Sequence, residues 1–436
     1  MLHTYFESIK TEFRSLRKGG LFYIFGSSVI SQVGGLISSF LVIRGLPKAE
    51  YGGYVNANNL YSYAAIFVGL GMASAVMQFC SEHIPEQQKK EIYHYSFIQG
   101  NVFNILLALI ILLLAEVKRQ TGNATVAHYL QLMCGLPFIA YINTLIQTVL
   151  RIQRKNQEFA YINISYTIFT VSGNIFFTKI LGIPGLILST YLANGIAAGV
   201  GTIFLEKANF ISSVFTQPRS LPLHKKKTIT KYAVLCALTN FTSTILVLLD
   251  ITCLDLTLSD PNILADYKVA SVIPSACIFI PACLITYFYP HMVENYSSGE
   301  KVFKAYLFRL IKVFFLINTI VFAGLMLFAP AIIVLLYGEK YKNIIPIFRL
   351  LCLNYWITAS FRKLLGNMIV VVKAVNVNLL HTTIAGGLNI VLDLMLIPRL
   401  GPIGAAVATV SVTSFITILE IVYFQRFFRT NTSPQK

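Results

Sequence analysis

Charge is what this sequence has least of. Asp and Glu together number 18 in 436 residues, and all charged residues amount to 12%. An ordinary soluble domain carries roughly 25%, so the chain cannot be built mainly of such domains. Nucleotide chemistry is missing too: no GxxxxGK[ST] run cradles phosphates. Neither HExxH nor GxSxG occurs, and no acidic cluster flanks a histidine. These absences exclude ATP hydrolysis by this chain, and no enzyme activity or bound cofactor is expected. The seven cysteines (Cys80, Cys134, Cys236, Cys253, Cys277, Cys283, Cys352) form no CxxC pair and have no histidine cluster beside them. They read as small buried hydrophobes, with no metal site expected. Asn123-Ala-Thr fits a glycosylation triplet, but one such triplet carries no weight.

Apolar residues fill the space that charge leaves. They make up 56% of the chain, with a mean hydropathy of +0.67. Crossing a bilayer takes about 20 mostly apolar residues, and windows of that length recur along the whole chain. The pattern predicts an all-α polytopic membrane protein with about 12 transmembrane helices, at 20–43, 53–80, 96–115, 130–150, 160–180, 185–205, 232–255, 268–290, 307–329, 345–368, 376–398 and 402–424. The longest polar stretch, 206–231, divides an N-terminal six-helix lobe (1–205) from a C-terminal one (232–436).

An even number of spans places both ends on one side. Most of the 35 Lys and Arg residues fall at the two ends and in loops after even-numbered spans, so both termini are expected in the cytoplasm. The basic N-terminal segment lacks a small-residue cleavage site and reads as part of an uncleaved first helix. The net charge of +17 then faces anionic headgroups and calls for no nucleic-acid partner.

The chain also repeats itself. LGIPGLILSTYLA at 181–193 has a counterpart in LGPIGAAVATVSV at 400–412, each in a tight turn between the last two spans of its half. An asparagine precedes both turns, Asn174 and Asn389. A second correspondence, Tyr51 with Tyr267, has nearly the same offset. Two repeats running in the same direction predict lobes related by an axis along the membrane normal, a geometry suited to transport at a midplane site.

At RGLPKAEYGGY, LLDITCLDL…ADYKVAS and IPRLGPIGAAVAT the chain resembles the polysaccharide-transporter branch of the multidrug/oligosaccharidyl-lipid/polysaccharide (MOP) flippase superfamily, and is most similar to Wzx-type O-antigen repeat-unit flippases. The resemblance covers nearly the whole chain. It implies a MATE-like fold and a flippase that moves undecaprenyl-diphosphate-linked oligosaccharides from the cytoplasmic to the periplasmic leaflet of a bacterial inner membrane by alternating access. An O-antigen polymerase and a chain-length regulator are candidate partners beside the lipid-linked substrate and the bilayer. The rival reading is a multidrug or cation antiporter of the MATE branch, whose cavity would be lined with acids and aromatics. Peptidoglycan-precursor relatives usually have fourteen spans. The GxxxD-R-x-G-R loop of the major facilitator family is absent from SEHIPEQQKKEIYHY.

A lipid-linked sugar asks for a wet, cationic cavity, because its hydroxyls and diphosphate cannot enter hydrocarbon unpaired. Candidates lie on polar stripes: Gln32 with Ser28 and Ser39 in span one, Asn56, Asn59 and Tyr63 in span two, and Asn240 with Thr244 in span seven. Helix-to-helix hydrogen bonding is the competing use of such residues. In span eight, Pro274 and Pro281 predict a bend. Arg362 and Lys363 lie within span ten and would suit the diphosphate, or are ordinary boundary charges if that span ends near residue 361. Asp250 in span seven and Asp393 in span eleven are the acidic candidates, either for H+ or Na+ coupling or for pairing with Lys268 or Arg399.

The distribution of basic residues makes a direct prediction. Reporter fusions after Lys227 are expected to register cytoplasm, and fusions at Gly182 periplasm. The opposite pattern would reverse the orientation.

Overall fold

The computed structural model describes residues 21–81, 84–206 and 221–430. The N-terminal segment 1–20 and most of the expected linker, 207–220, lie outside the described residues. Everything long that is described is helix. Span one is Leu21–Gly45, span two runs from Lys48–Ala65 into Met72–Ser81, span three is Glu86–Gln120, and span four joins Ala124–Met133 to Leu136–Ile152. Spans five and six are Asn156–Leu181 and Ile183–Glu206. Leu223–Leu258 contains span seven, Pro261–Cys277 and Phe279–Ser297 form span eight, and Glu300–Leu327 is span nine. Span ten continues from Ile345–Ile357 to Lys363–Val371, followed by Val375–Leu400 and Pro402–Thr430.

Eleven helical stretches among the described residues are long and apolar enough to cross a membrane. The span expected at 232–255 belongs to a helix of 36 residues, about 54 Å at 1.5 Å per residue. That helix also takes in 223–231, which the sequence assigns to the linker. Most helices outrun the expected spans because polar ends continue the helix beyond the apolar window, as in Glu86–Gln120.

Interruptions follow local chemistry. Span eight breaks at Ile278, three residues before Pro281, where the proline cannot donate to the Cys277 carbonyl. In span two the helix opens at Val68–Gly71, with Gly69 (φ 61°) and Leu70 (φ 50°) left-handed. The freed Gly69 N–H donates to Asn104 Oδ1 at 2.8 Å, and Asn104 Nδ2 donates to the Pro137 carbonyl at 3.2 Å. Asn104 is fully buried. A partner inside the protein is what an opened helix needs in hydrocarbon.

The internal repeat is visible in backbone geometry. Spans five and eleven are each 26 residues long and end in a glycine of the same conformation: Gly182 (φ 63°, ψ −137°) and Gly401 (φ 60°, ψ −142°). Each glycine donates its N–H to the carbonyl four residues back, Thr178 or Ile397, at 2.9 and 2.8 Å. Three residues later the next helix presses on the last. A Cβ on Gly185 would stand 2.1 Å from the Phe177 oxygen, and one on Gly404 2.5 Å from the Leu396 oxygen. All these pairs share one offset, and that offset places Asn174 opposite Asp393, one helical turn beyond Asn389.

By contacts the chain divides into two compact units. One holds residues up to Leu46 with Leu60–Phe241, and the other holds Pro47–Asn59 with Thr242–Lys436. The boundaries therefore differ from a cut at the linker: each unit contains a piece of the opposite half. In the second unit Lys48 Nζ pairs with Asp266 at 2.7 Å, and Asn343 donates to the same carboxylate at 2.8 Å. Gly52 lies against Pro261, whose carbonyl oxygen would be 1.8 Å from a Cβ. In the first unit Tyr95 and Thr230 hydrogen-bond at 2.8 Å, and Gly71 lies against the Ala233 carbonyl.

Gly404→Val is expected to cost about 1–3 kcal/mol by overpacking, read as a lowered unfolding midpoint in detergent. Gly387→Val, where a Cβ meets nothing within 4 Å, is the control expected to change little.

Candidate functional site

Two buried polar centres lie within the second unit. The first gathers Asp250 from span seven, Tyr267 from span eight, Asn389 and Asp393 from span eleven, and Thr409 from span twelve. Asp250 is 8% exposed and Asp393 fully buried. Oδ2 of Asp250 accepts hydrogen bonds from Tyr267 Oη and from Thr409 Oγ1, the latter at 2.7 Å. Its Oδ1, both oxygens of Asp393 and Nδ2 of Asn389 have no partner. Asn389 and Asp393 lie within electrostatic reach of Asp250, and Cys253 within reach of Asp393. Neither aspartate makes an ion pair with Lys268 or Arg399, so the pairing alternative is not what the structure adopts.

Two carboxylates side by side in a dry interior repel one another and lack the water that would stabilise them. A proton or a small cation would relieve both burdens. Hard cations prefer oxygen donors of this kind. No group of three or more His, Cys, Asp or Glu side chains suited to a metal occurs among the described residues.

The first unit carries a neutral version of this centre. Asn174, the repeat counterpart of Asp393, donates to Ser38 Oγ at 2.8 Å and accepts from Ser189 Oγ. There the polar groups satisfy one another without a charge.

The second centre is a cavity of about 300 Å³ among spans ten, eleven and twelve, lined by Thr358, Arg362, Lys363, Asn367, Asn378, His381, Thr382 and Glu420, with Gly366 in its wall. The helix of span ten continues past Arg362 and Lys363 through Val371. A π-turn at Thr358–Arg362 precedes Lys363; such turns occur often at functional sites. Asn318 supports the bulge. Its Nδ2 donates to the Phe314 and Ala359 carbonyls at 2.7 and 3.3 Å, while Tyr355 Oη donates to its Oδ1 at 2.8 Å. Arg362 is half-buried and Lys363 exposed, whereas Glu420 is 2% exposed. Glu420, absent from the residues singled out above, has its own signal in the sequence: an acid in the apolar run ITILEIVYF.

The other candidates are placed differently. Asn56 donates to Asp255 Oδ1, and Asn59 donates to Thr252 Oγ1 at 2.9 Å. Both asparagines are buried helix-to-helix contacts in the second unit. Gln32 and Tyr63 are half-buried and Asn240 is exposed, all three in the first unit.

Comparison with known proteins agrees with this architecture. The family model described as polysaccharide biosynthesis protein matches residues 41–346. No curated protein matches the chain. Among solved structures, the chain is similar to the lipid II flippase MurJ in an inward closed conformation, at TM-score 0.73 and 15% identity, covering 93% of this chain and 87% of that one. It is also similar to an inward-facing multidrug resistance MATE family transporter of the MOP superfamily, at TM-score 0.71 and 14% identity, covering 93% and 96%. A MOP superfamily transporter from Pyrococcus furiosus, described as having a binding pocket of reversed polarity that suggests a different function, aligns at TM-score 0.56 and 14% identity, covering 94% and 93%. The fold is that of the MOP transporters.

If Asp250 and Asp393 sense one another, Asp250→Asn and Asp393→Asn will be non-additive. A double-mutant cycle on unfolding in detergent is expected to give a coupling of about 0.5–3 kcal/mol. Additive effects would separate the two residues.

Proposed function

Because the chain belongs to the polysaccharide biosynthesis protein family, we propose that it is a flippase for undecaprenyl-diphosphate-linked oligosaccharide repeat units, of an O-antigen or related surface polysaccharide. It carries them from the cytoplasmic to the periplasmic leaflet of a bacterial inner membrane, with both its termini in the cytoplasm. The observation that carries this reading is the polar cavity at Arg362 and Lys363. Basic side chains within a membrane helix are costly unless they face water or a partner, and a diphosphate is a partner of matching charge. Such a group binds guanidinium and ammonium strongly through charge-assisted hydrogen bonds. Gln32, Tyr63 and Asn240 are further substrate contacts in this reading, while Asn56 and Asn59 act by holding span two to span seven.

Repeated outward movement needs a driver, and the chain carries no nucleotide motif. The Asp250–Asp393 centre supplies one: H+ or Na+ bound there cancels charge that burial disfavours, and occupancy then biases one conformation over another. Thr409 Oγ1, beside Asp250, is an added oxygen donor. The same acidic pair is what favours the second reading, a cation antiporter of the MATE branch, which differs in taking an organic cation in place of a lipid-linked saccharide. O-antigen polymerase and a chain-length regulator would act on the product side.

The test is flipping of a lipid-diphosphate-linked saccharide in proteoliposomes under an imposed proton or sodium gradient. Stimulation by one ion, lost in Asp250→Asn and in Asp393→Asn, is expected. Arg362→Gln combined with Lys363→Gln is expected to abolish flipping while membrane abundance is retained. Export of an organic cation without saccharide flipping would overturn the reading in favour of the antiporter.

A further inference from the structure

The cavity among spans ten, eleven and twelve has a charge pattern that a bare diphosphate does not explain. At one side stand the Arg362 guanidinium and the Lys363 ammonium. Within it lies the carboxylate of Glu420, 2% exposed, with Oε2 unpartnered. His381 is 8% exposed and its Nδ1 is also unpartnered. Arg362 and Glu420 are close enough to interact electrostatically, yet they do not close into an ion pair. Both residues line the cavity without pairing with one another, and burial of an unpaired carboxylate is costly unless a partner reaches it.

The occupant can be argued from what each group rejects. An isolated phosphate would meet the repulsion of Glu420, and an isolated cation that of Arg362. A hydroxyl-rich neutral molecule would leave the ammonium and guanidinium without an anion. A ligand with hydroxyl donors at one end and an anion at the other satisfies both. Ligand pockets span roughly 300–1,000 Å³, and a cavity of about 300 Å³ lies at the low end, with room for one ring. Gly366 keeps that room open. A Cβ there would come to 3.7 Å from Glu420 Oε1 and 3.9 Å from Asn378 Oδ1, and any longer side chain would enter the space between them.

We propose that this cavity is the subsite for the sugar ring attached directly to the diphosphate, the hexose 1-phosphate moiety of the lipid-linked substrate. Arg362 and Lys363 take the phosphate, and Glu420, His381 and Asn378 take the hydroxyls of the ring. The inference rests on the flippase reading for its cargo and adds which part of that cargo the second unit recognises.

The experiment measures binding and needs no transport. Purified full-length protein in detergent is titrated calorimetrically with glucose 1-phosphate, galactose 1-phosphate, N-acetylglucosamine 1-phosphate, each free sugar and inorganic phosphate. At least one sugar phosphate is expected to bind tenfold or more tightly than both phosphate and its own free sugar. Glu420→Gln and Gly366→Leu are expected to remove that advantage while phosphate affinity holds or rises, and Arg362→Gln to weaken both ligands. Equal affinity of wild-type protein for phosphate and all three sugar phosphates would overturn the proposal, whatever the variants do. Loss of phosphate and sugar phosphate binding to the same degree in Glu420→Gln would overturn it too. Failure of flipping with the tenfold advantage intact removes the flippase reading and keeps the site; flipping with no advantage removes only the site.

Discussion

The absence of water in hydrocarbon governs this structure: every backbone amide and carbonyl that would otherwise face lipid must find its partner within the protein. That constraint explains why helix is the dominant element and why its few breaks carry their own remedies. Where span two opens, Asn104 is buried to serve both the freed Gly69 amide and the Pro137 carbonyl. Where span ten bulges, Asn318 reaches the Ala359 carbonyl and is itself held by Tyr355. A polar side chain that is fully satisfied in this manner is scaffold. At Asp393 and Glu420, by contrast, buried carboxylate oxygens have no hydrogen-bond partner.

The two halves make that distinction concrete. The same position on equivalent helices is Asn174 in one repeat and Asp393 in the other. The asparagine bridges Ser38 and Ser189 by hydrogen bonds, whereas the aspartate lies within electrostatic reach of a second carboxylate. One substitution in a shared framework thus separates a structural joint from an ionisable one. The helix packing around them is preserved by Gly185 and Gly404, each pressed against a carbonyl of the preceding helix.

Much of the fold was legible in the sequence because its signals are local. Apolar windows located the spans, and the Gly-Pro turns exposed the repeat. Span ends were less legible, since hydropathy reports where lipid begins and not where the helix stops. Asp250 and Asp393 were each readable as buried acids in apolar runs, but their proximity depends on how spans seven and eleven pack, which no one-dimensional pattern contains. Arg362 and Lys363 were visible for the same reason as the aspartates. The π-turn beneath them was not, because it depends on the distant Asn318. Asn56 and Asn59 had two open uses, and only the partners Asp255 and Thr252 show which contact they make.

The exchanged segments have a consequence for how the chain is assembled. Residues Pro47–Asn59 belong by their contacts to the second unit, and the helix that starts at Leu223 begins in the first. Each unit is completed by a piece synthesised with the other, in the manner of a domain swap within a single polypeptide. The first unit therefore cannot be finished until the ribosome has passed the midpoint of the chain. An insertion intermediate that holds only the first six spans still lacks the helix that packs on Gly71 and Tyr95.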